Sequence, residues 1–144
     1  MTTVADVLNG KGQDIWSISP DSSVFDAISL MAEKGIGALL VMSDDRLAGI
    51  VSERDYARKV ILQGHSAEET PVRVIMTADV VTVHPDQTVD RCLALMTEKR
   101  FRHLPVVDGD RVVGILSIGD LVKSSLADKE RLIEQLERYI TGGR

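Results

Sequence analysis

Apolar positions along the chain alternate between two kinds of pattern. Val24, Ile28 and Met31 recur at i, i+4 and i+7 with Phe25 and Ala32 beside them, which predicts an amphipathic helix with one buried stripe, ended by Gly35. Two short unbroken apolar runs follow, Ile36 to Met42 and Leu47 to Val51, and the polar turn Ser43-Asp44-Asp45-Arg46 between them predicts a pair of strands. Ser52-Glu53-Arg54-Asp55 then opens another helix. Upstream, Trp16 to Asp21 reads as a short strand closing at Pro20, with Asp21 or Ser22 placed to cap the helix after it. Val4-Ala5-Asp6-Val7-Leu8 is a short helical or extended lead-in, broken by Asn9-Gly10-Lys11-Gly12.

Shifted by 65 residues, the second half lies on the first without a gap from Trp16 to Val60. Pro20 meets Pro85, Asp21 meets Asp86, Val24 meets Val89, Met31 meets Met96, Leu39 meets Leu104 and Val41 meets Val106. Gly49-Ile50 falls on Gly114-Ile115, Ser52 on Ser117 and Asp55 on Asp120. The clearest copy of the device is residues 101–123. There Leu104, Val106 and Val107 make one apolar run and Val112 to Leu116 the next, and Asp108-Gly109 between them is the strongest short-range hairpin signal in the chain. The second strand runs into Ser117-Ile118-Gly119-Asp120 at a helix start, a polar turn suited to holding a ligand. Each half is thus a strand-helix-strand-strand-helix unit of roughly sixty residues, a size at which a lone core is marginal, so pairing the halves supplies the missing burial.

Between the repeats, Gln63 to Pro71 is a polar connector with a proline stop. Beyond them, Leu126, Leu132, Ile133, Leu136, Tyr139 and Ile140 form an apolar helical stripe on the charged run Lys129 to Arg138, ending at Gly142-Gly143. That stripe needs a partner, either this chain's own core or a second copy. The chain divides into residues 1–70, the first repeat with its lead-in and linker; 71–125, the second repeat; and 126–144, the C-terminal helix and tail.

Composition narrows the function. Only 3% of the 144 residues are aromatic and the net charge is -5, so neither stacking platforms nor a basic face exist for nucleic acid. No apolar run has the length to span a bilayer, and one cysteine, Cys92, with no export signal places the chain in a reducing cytoplasm. Cys92 sits in an apolar helical context and reads as buried filler, not a nucleophile.

The duplicated Gly-apolar-apolar-Ser-x-x-Asp (Gly49 to Asp55, Gly114 to Asp120), Val74-Ile75-Met76-Thr77 before the second unit, and Leu104-Pro105-Val106-Val107-Asp108 together resemble a tandem cystathionine-β-synthase (CBS) domain pair, the Bateman module, of the free-standing bacterial type. The resemblance covers about residues 4–125. It implies an α+β fold of two βαββα repeats packed with pseudo-twofold symmetry, a cleft for each repeat, and a C-terminal amphipathic helix outside them. It also implies regulatory binding of an adenosyl ligand without chemistry: AMP first, then ATP or NAD(H), with S-adenosylmethionine as an alternative.

The residues account for such binding. A ribose offers neighbouring hydroxyls to one carboxylate, and Asp55 and Asp120 are placed for this, while Ser52 and Ser117 can bond ribose or phosphate; all four can equally be helix caps. For the adenine wall the resemblance offers the strands entering each unit, Val80-Val81-Thr82-Val83 and Ile15-Trp16-Ser17-Ile18, with Thr82, Val83 and Pro105 counted in the second site. Arg102-His103 stands where the first repeat has Gly37-Ala38, so the second cleft is expected to carry cationic or hydrogen-bonding groups and to be the one that takes an anion. Arg54, opposite Gly119, can reach a phosphate in either cleft, whereas Arg58 and Lys59 read as a solvated helix face.

Sharper chemistries are rejected. Gly35-Ile36-Gly37 follows a helix and opens a strand, the reverse of a dinucleotide fingerprint. His65, His84 and His103 lack companions at metal-ligand spacing, and neither a Walker loop nor a nucleophile elbow occurs. The expectation is a non-catalytic, cytoplasmic homodimer with an unknown effector protein, no nucleic acid and no membrane. The alternative is a dimeric interaction scaffold whose clefts stay unoccupied.

Overall fold

The computed structural model describes residues 1–12 and 14–141. Helix α1 (Val4–Lys11) precedes strand β1 (Ser17–Ile18), helix α2 (Val24–Lys34), the hairpin β2 (Ala38–Ser43) and β3 (Arg46–Ser52), and a short helix α3 (Glu53–Tyr56) that continues as a π-helical turn, Ala57–Ile61. The second half supplies α4 (Val72–Ile75), α5 (Val89–Lys99), the hairpin β4 (His103–Asp108) and β5 (Arg111–Ser117), and α6 (Ile118–Ile140). β1 runs parallel to β2, and β2 pairs antiparallel with β3. The two hairpins share one register, Leu39 opposite Val51 and Leu104 opposite Leu116. The fold is therefore α+β, a duplicated βαββα unit followed by a C-terminal helical extension.

Local chemistry explains the helix ends. Ser23 and Thr88 cap α2 and α5, their hydroxyls accepting from the amides of Asp26 and Arg91. The first of these caps lies beyond Asp21 and Ser22, where the sequence reading put it. Those two residues are used elsewhere: Asp21 pairs with Arg73 at 2.7 Å, and the Ser22 carbonyl accepts from Val72 N–H. Gly35 ends α2 in the left-handed conformation, and at the equivalent position Arg100 ends α5 with φ 60°.

Three elements depart from the expectation. The lead-in is a full helix, closed at its start by a reciprocal Thr3–Asp6 capping box and broken only at Gly12. The strand expected at Val80 to Val83 contracts to one parallel bridge between Val83 and Val106, the counterpart of Ile18 with Val41. The residues before it go to β3 instead, where Thr77 and Ile50 exchange backbone hydrogen bonds of 2.8 and 3.0 Å. The C-terminal stripe is no separate helix, because α6 runs unbroken from Ile118 to Ile140; the expected stop at Gly142-Gly143 lies outside the described residues.

The core is where the two repeats become one body. Val4 and Leu8 of α1 are buried with Val83, Val89, Cys92, Met96, Leu104 and Leu116, all of the second repeat. Val72 and Ile75 of α4 are buried with Val24, Met31, Leu39, Val41 and Val51, all of the first. Each lead-in thus completes the core of the other repeat. Matched backbone bonds fix the exchange: Val4 N–H donates to Gln87 O and Val72 N–H to Ser22 O, both at 2.8 Å, while Val89 N–H donates to Thr2 O and Val24 N–H to Thr70 O. A boundary drawn at residue 70 divides the sequence but not the packing. Among the described residues, no helix is long and apolar enough to cross a membrane.

Candidate functional site

Both repeat carboxylates are built into helix starts. Ser52 Oγ accepts from Asp55 N–H and Asp55 Oδ2 accepts from Ser52 N–H at 2.9 Å, and Ser117 and Asp120 repeat the arrangement at the same distance. The cap role is therefore real for all four residues, and it holds each carboxylate rigidly at the mouth of a cleft.

The first cleft, about 560 Å³, lies within the roughly 300–1,000 Å³ of small-molecule sites. Ser52, Arg54, Asp55, Arg58 and Lys59 line one side; Thr77, Val80 and Val81 line another; Arg100, Phe101, Arg102 and His103 close it. Lys59 bridges Asp55 Oδ1 at 3.2 Å and the Ile75 carbonyl at 2.8 Å. Arg102 across the cleft from the exposed Arg54, with Arg58 and then a small loss of hydration adding to it, lowers the affinity of the Arg54 guanidinium for its proton.

The second cleft is about 460 Å³ and holds Ser117, Asp120, Ile115 and His103 against Lys11, Asp14, Trp16 and Gly35 to Ala38. Lys11 Nζ reaches into it, 2.7 Å from Asp120 Oδ2 and 2.9 Å from the Ile115 carbonyl. Burial raises the Asp120 carboxyl, but hydrogen bonds from Lys11 and the Ser117 amide outweigh it and hold the group below the usual carboxylate range. Burial pushes the His103 imidazole down, Lys11 and Arg102 push the same way and only Asp120 opposes, so His103 is neutral at neutral pH.

This geometry corrects the expected assignment of walls. The segment entering each repeat lines the cleft of the other, so Val80 and Val81 face the Asp55 cleft, and Trp16 faces the Asp120 cleft. Arg102 accordingly lines the first cleft and not the second, whereas His103 lines both, so of the two groups expected at the second cleft only the histidine is there, and its cation is Lys11. Arg54 lies in the first cleft as well. Val83 and Pro105 are buried in the fold, where Val83 N–H donates to the Pro105 carbonyl at 3.0 Å, and exposed Thr82 lines neither cleft.

Sequence reasoning missed Arg58, Lys59, Arg100 and Lys11. Arg58 and Lys59 were legible as the i+4 neighbours of Arg54 and Asp55, hence on the same face of the helix. Arg100 carried a signal too, a non-glycine at a helix stop where the other repeat has Gly35. Lys11 carried none, because its cleft is 109 residues away in sequence. Cys92 is fully buried and burial raises its thiol, consistent with core filler.

Comparisons with known proteins agree with this architecture. A sequence profile described as the CBS domain matches residues 4–62 and 72–127. The mitochondrial CBS domain-containing protein CBSX3 of Arabidopsis thaliana is 39% identical over 152 residues, spanning 99% of this chain and 73% of its own. Among solved structures, a protein with CBS domains from Burkholderia ambifaria MC40-6 superposes with a TM-score of 0.85 at 58% identity, over 88% of this chain and 96% of that one. The CBS domain pair of protein MJ0100, solved in complex with 5-methylthioadenosine and S-adenosyl-L-methionine, superposes with a TM-score of 0.79 at 27% identity, over 89% and 98% of the two chains.

Proposed function

The chain belongs to the CBS domain family, whose paired repeats are regulatory ligand-binding modules, and on that premise we propose that it is a non-catalytic sensor of an adenine nucleotide. The observation that carries this reading is a rigidly capped carboxylate with its serine, present twice and each time lining a cleft between the repeats. A carboxylate oxygen accepts from ribose hydroxyls, and the apolar walls Val80-Val81 and Trp16 suit the base. The likeness to a CBS pair solved with two adenosyl compounds supports the ligand class.

Signalling follows from the exchanged lead-ins. Each cleft is walled by both repeats, so a ligand that prefers one arrangement of the repeats shifts the population toward it, and a different surface meets an effector protein. The module works as a homodimer through the exposed stripe of α6. Its compartment is the cytoplasm, where a single buried thiol fits a reducing environment.

The test is isothermal titration of the purified chain with AMP, ATP, NAD, NADH and S-adenosylmethionine, repeated on Asp55→Asn and Asp120→Asn. At least one compound binds, and the variant at its cleft loses roughly tenfold or more in affinity, the size of a lost hydrogen bond to a charged group. No heat and no thermal shift with any of them sinks the sensor and leaves an interaction scaffold.

A further inference from the structure

The two clefts are related by the repeat, so corresponding positions can be compared directly. Arg54, Arg100 and Arg102 line the first cleft, and the 65-residue shift puts glycine at all three counterparts, Gly119, Gly35 and Gly37, of which the last two line the second cleft. Every one of these differences puts a guanidinium on the same side. With Arg58 and Lys59 the first cleft gathers five cations against two carboxylates, Glu53 and Asp55; the second gathers Lys11 against Asp14 and Asp120. Lys59 is already engaged by Asp55 and the Ile75 carbonyl. Among the described residues, none of the four arginine side chains has a hydrogen-bond or ion-pair partner within the protein.

Clustering like charges costs free energy that folding does not require. The effect registers at Arg54, whose proton affinity falls because Arg102 stands across the cleft from it. Arg100 adds a second cost: it holds φ 60°, a left-handed conformation that strains any residue with a Cβ, while its counterpart Gly35 holds φ 66° without strain. Strain and repulsion converging on one cleft are what a site tolerates for function, and a bound anion would offset the repulsion.

We propose that the first cleft is a polyphosphate seat, taking an adenine nucleotide with two or more phosphates and discriminating against S-adenosylmethionine and 5-methylthioadenosine. The assignment rests on the adenosyl-sensor reading above. Asp55 holds the ribose, and the arginines fork onto the phosphate oxygens, a geometry guanidinium matches. A sulfonium cation meets only repulsion there, and a thioether nucleoside gives the arginines nothing to bind. The second cleft, lacking this charge, offers a triphosphate no comparable seat.

The experiment titrates the full chain with ATP, ADP, AMP, adenosine, 5-methylthioadenosine and S-adenosylmethionine at fixed salt. Affinity rises about tenfold for each phosphate added, and the two sulfur compounds bind no better than adenosine. Arg54→Ala and Arg102→Ala each weaken ATP about tenfold, toward the level of adenosine. Arg100→Gly weakens ATP while raising the melting temperature, so the loss cannot come from unfolding. Adenosyl compounds that bind with no dependence on phosphate number, or ATP affinity that survives the arginine variants, overturn the seat and leave the sensor standing. If no adenosyl compound binds, the sensor reading itself fails and the seat fails with it.

Discussion

A methyl group added at Gly49 would lie 2.5 Å from the Thr77 carbonyl oxygen and 3.1 Å from Met76 Sδ; at the equivalent Gly114 it would lie 2.7 Å from Leu8 Cδ2. The first neighbour is backbone, locked in the bridge between Thr77 and Ile50, and cannot retreat without breaking that bridge. The second is the end of a side chain that can turn. Gly49→Ala therefore costs about 2–3 kcal/mol and Gly114→Ala about 1 kcal/mol or less, read as urea-denaturation midpoints. Equal costs would remove the distinction between the two close approaches. At this scale the sequence revealed much: Asp55, Asp120 and their serines were found because the motif occurs twice in register. It hid what shares each cleft with its carboxylate, since Lys11 and Arg102 come from elements remote along the chain.

At the scale of elements, α6 is the one that outgrows its packing. Leu121 is fully buried, yet Leu126, Leu132, Ile133, Leu136, Tyr139 and Ile140 are each more than half exposed, and every residue from 129 to 141 is exposed. Three free turns have little intrinsic stability in water, because helical stability in proteins comes chiefly from a packed face. Val122, Leu126, Ile133, Leu136 and Ile140 align along one side, the seam a second copy of the helix can match. Light scattering after size exclusion is expected to give a dimer for the native chain and a monomer for Ile133→Asp/Leu136→Asp, with helix content of the body retained. A native monomer at every concentration would leave the stripe without this role. The stripe was legible from spacing alone. The division at residue 125 cut across its continuity with the helix capped by Ser117, although no proline or glycine lies between Gly119 and Gly142 to stop that helix.

At the scale of the whole molecule, the exchanged lead-ins couple the repeats. Leu8 is in the first helix of the chain but fills the second repeat's core, whereas Trp16, the only tryptophan, precedes β1 of the first repeat with Lys34 Nζ 4.2 Å from its ring centre. Leu8→Ala removes about 2–4 kcal/mol from the second core. Trp16 fluorescence and far-UV circular dichroism should then fall together at a lower melting temperature, one transition for both repeats. A Trp16 transition left at its original temperature would mean the repeats unfold separately. The sequence by itself determined the duplicated βαββα unit, its hairpins, its two cap carboxylates and the apolar stripe, because caps, turns and periodicity act over a few residues. Only the tertiary structure decided which lead-in completes which core and which arginines share a cleft. Those outcomes depend on how two repeats of nearly the same pattern pack around each other, and both the exchanged and unexchanged pairings satisfy the same local rules.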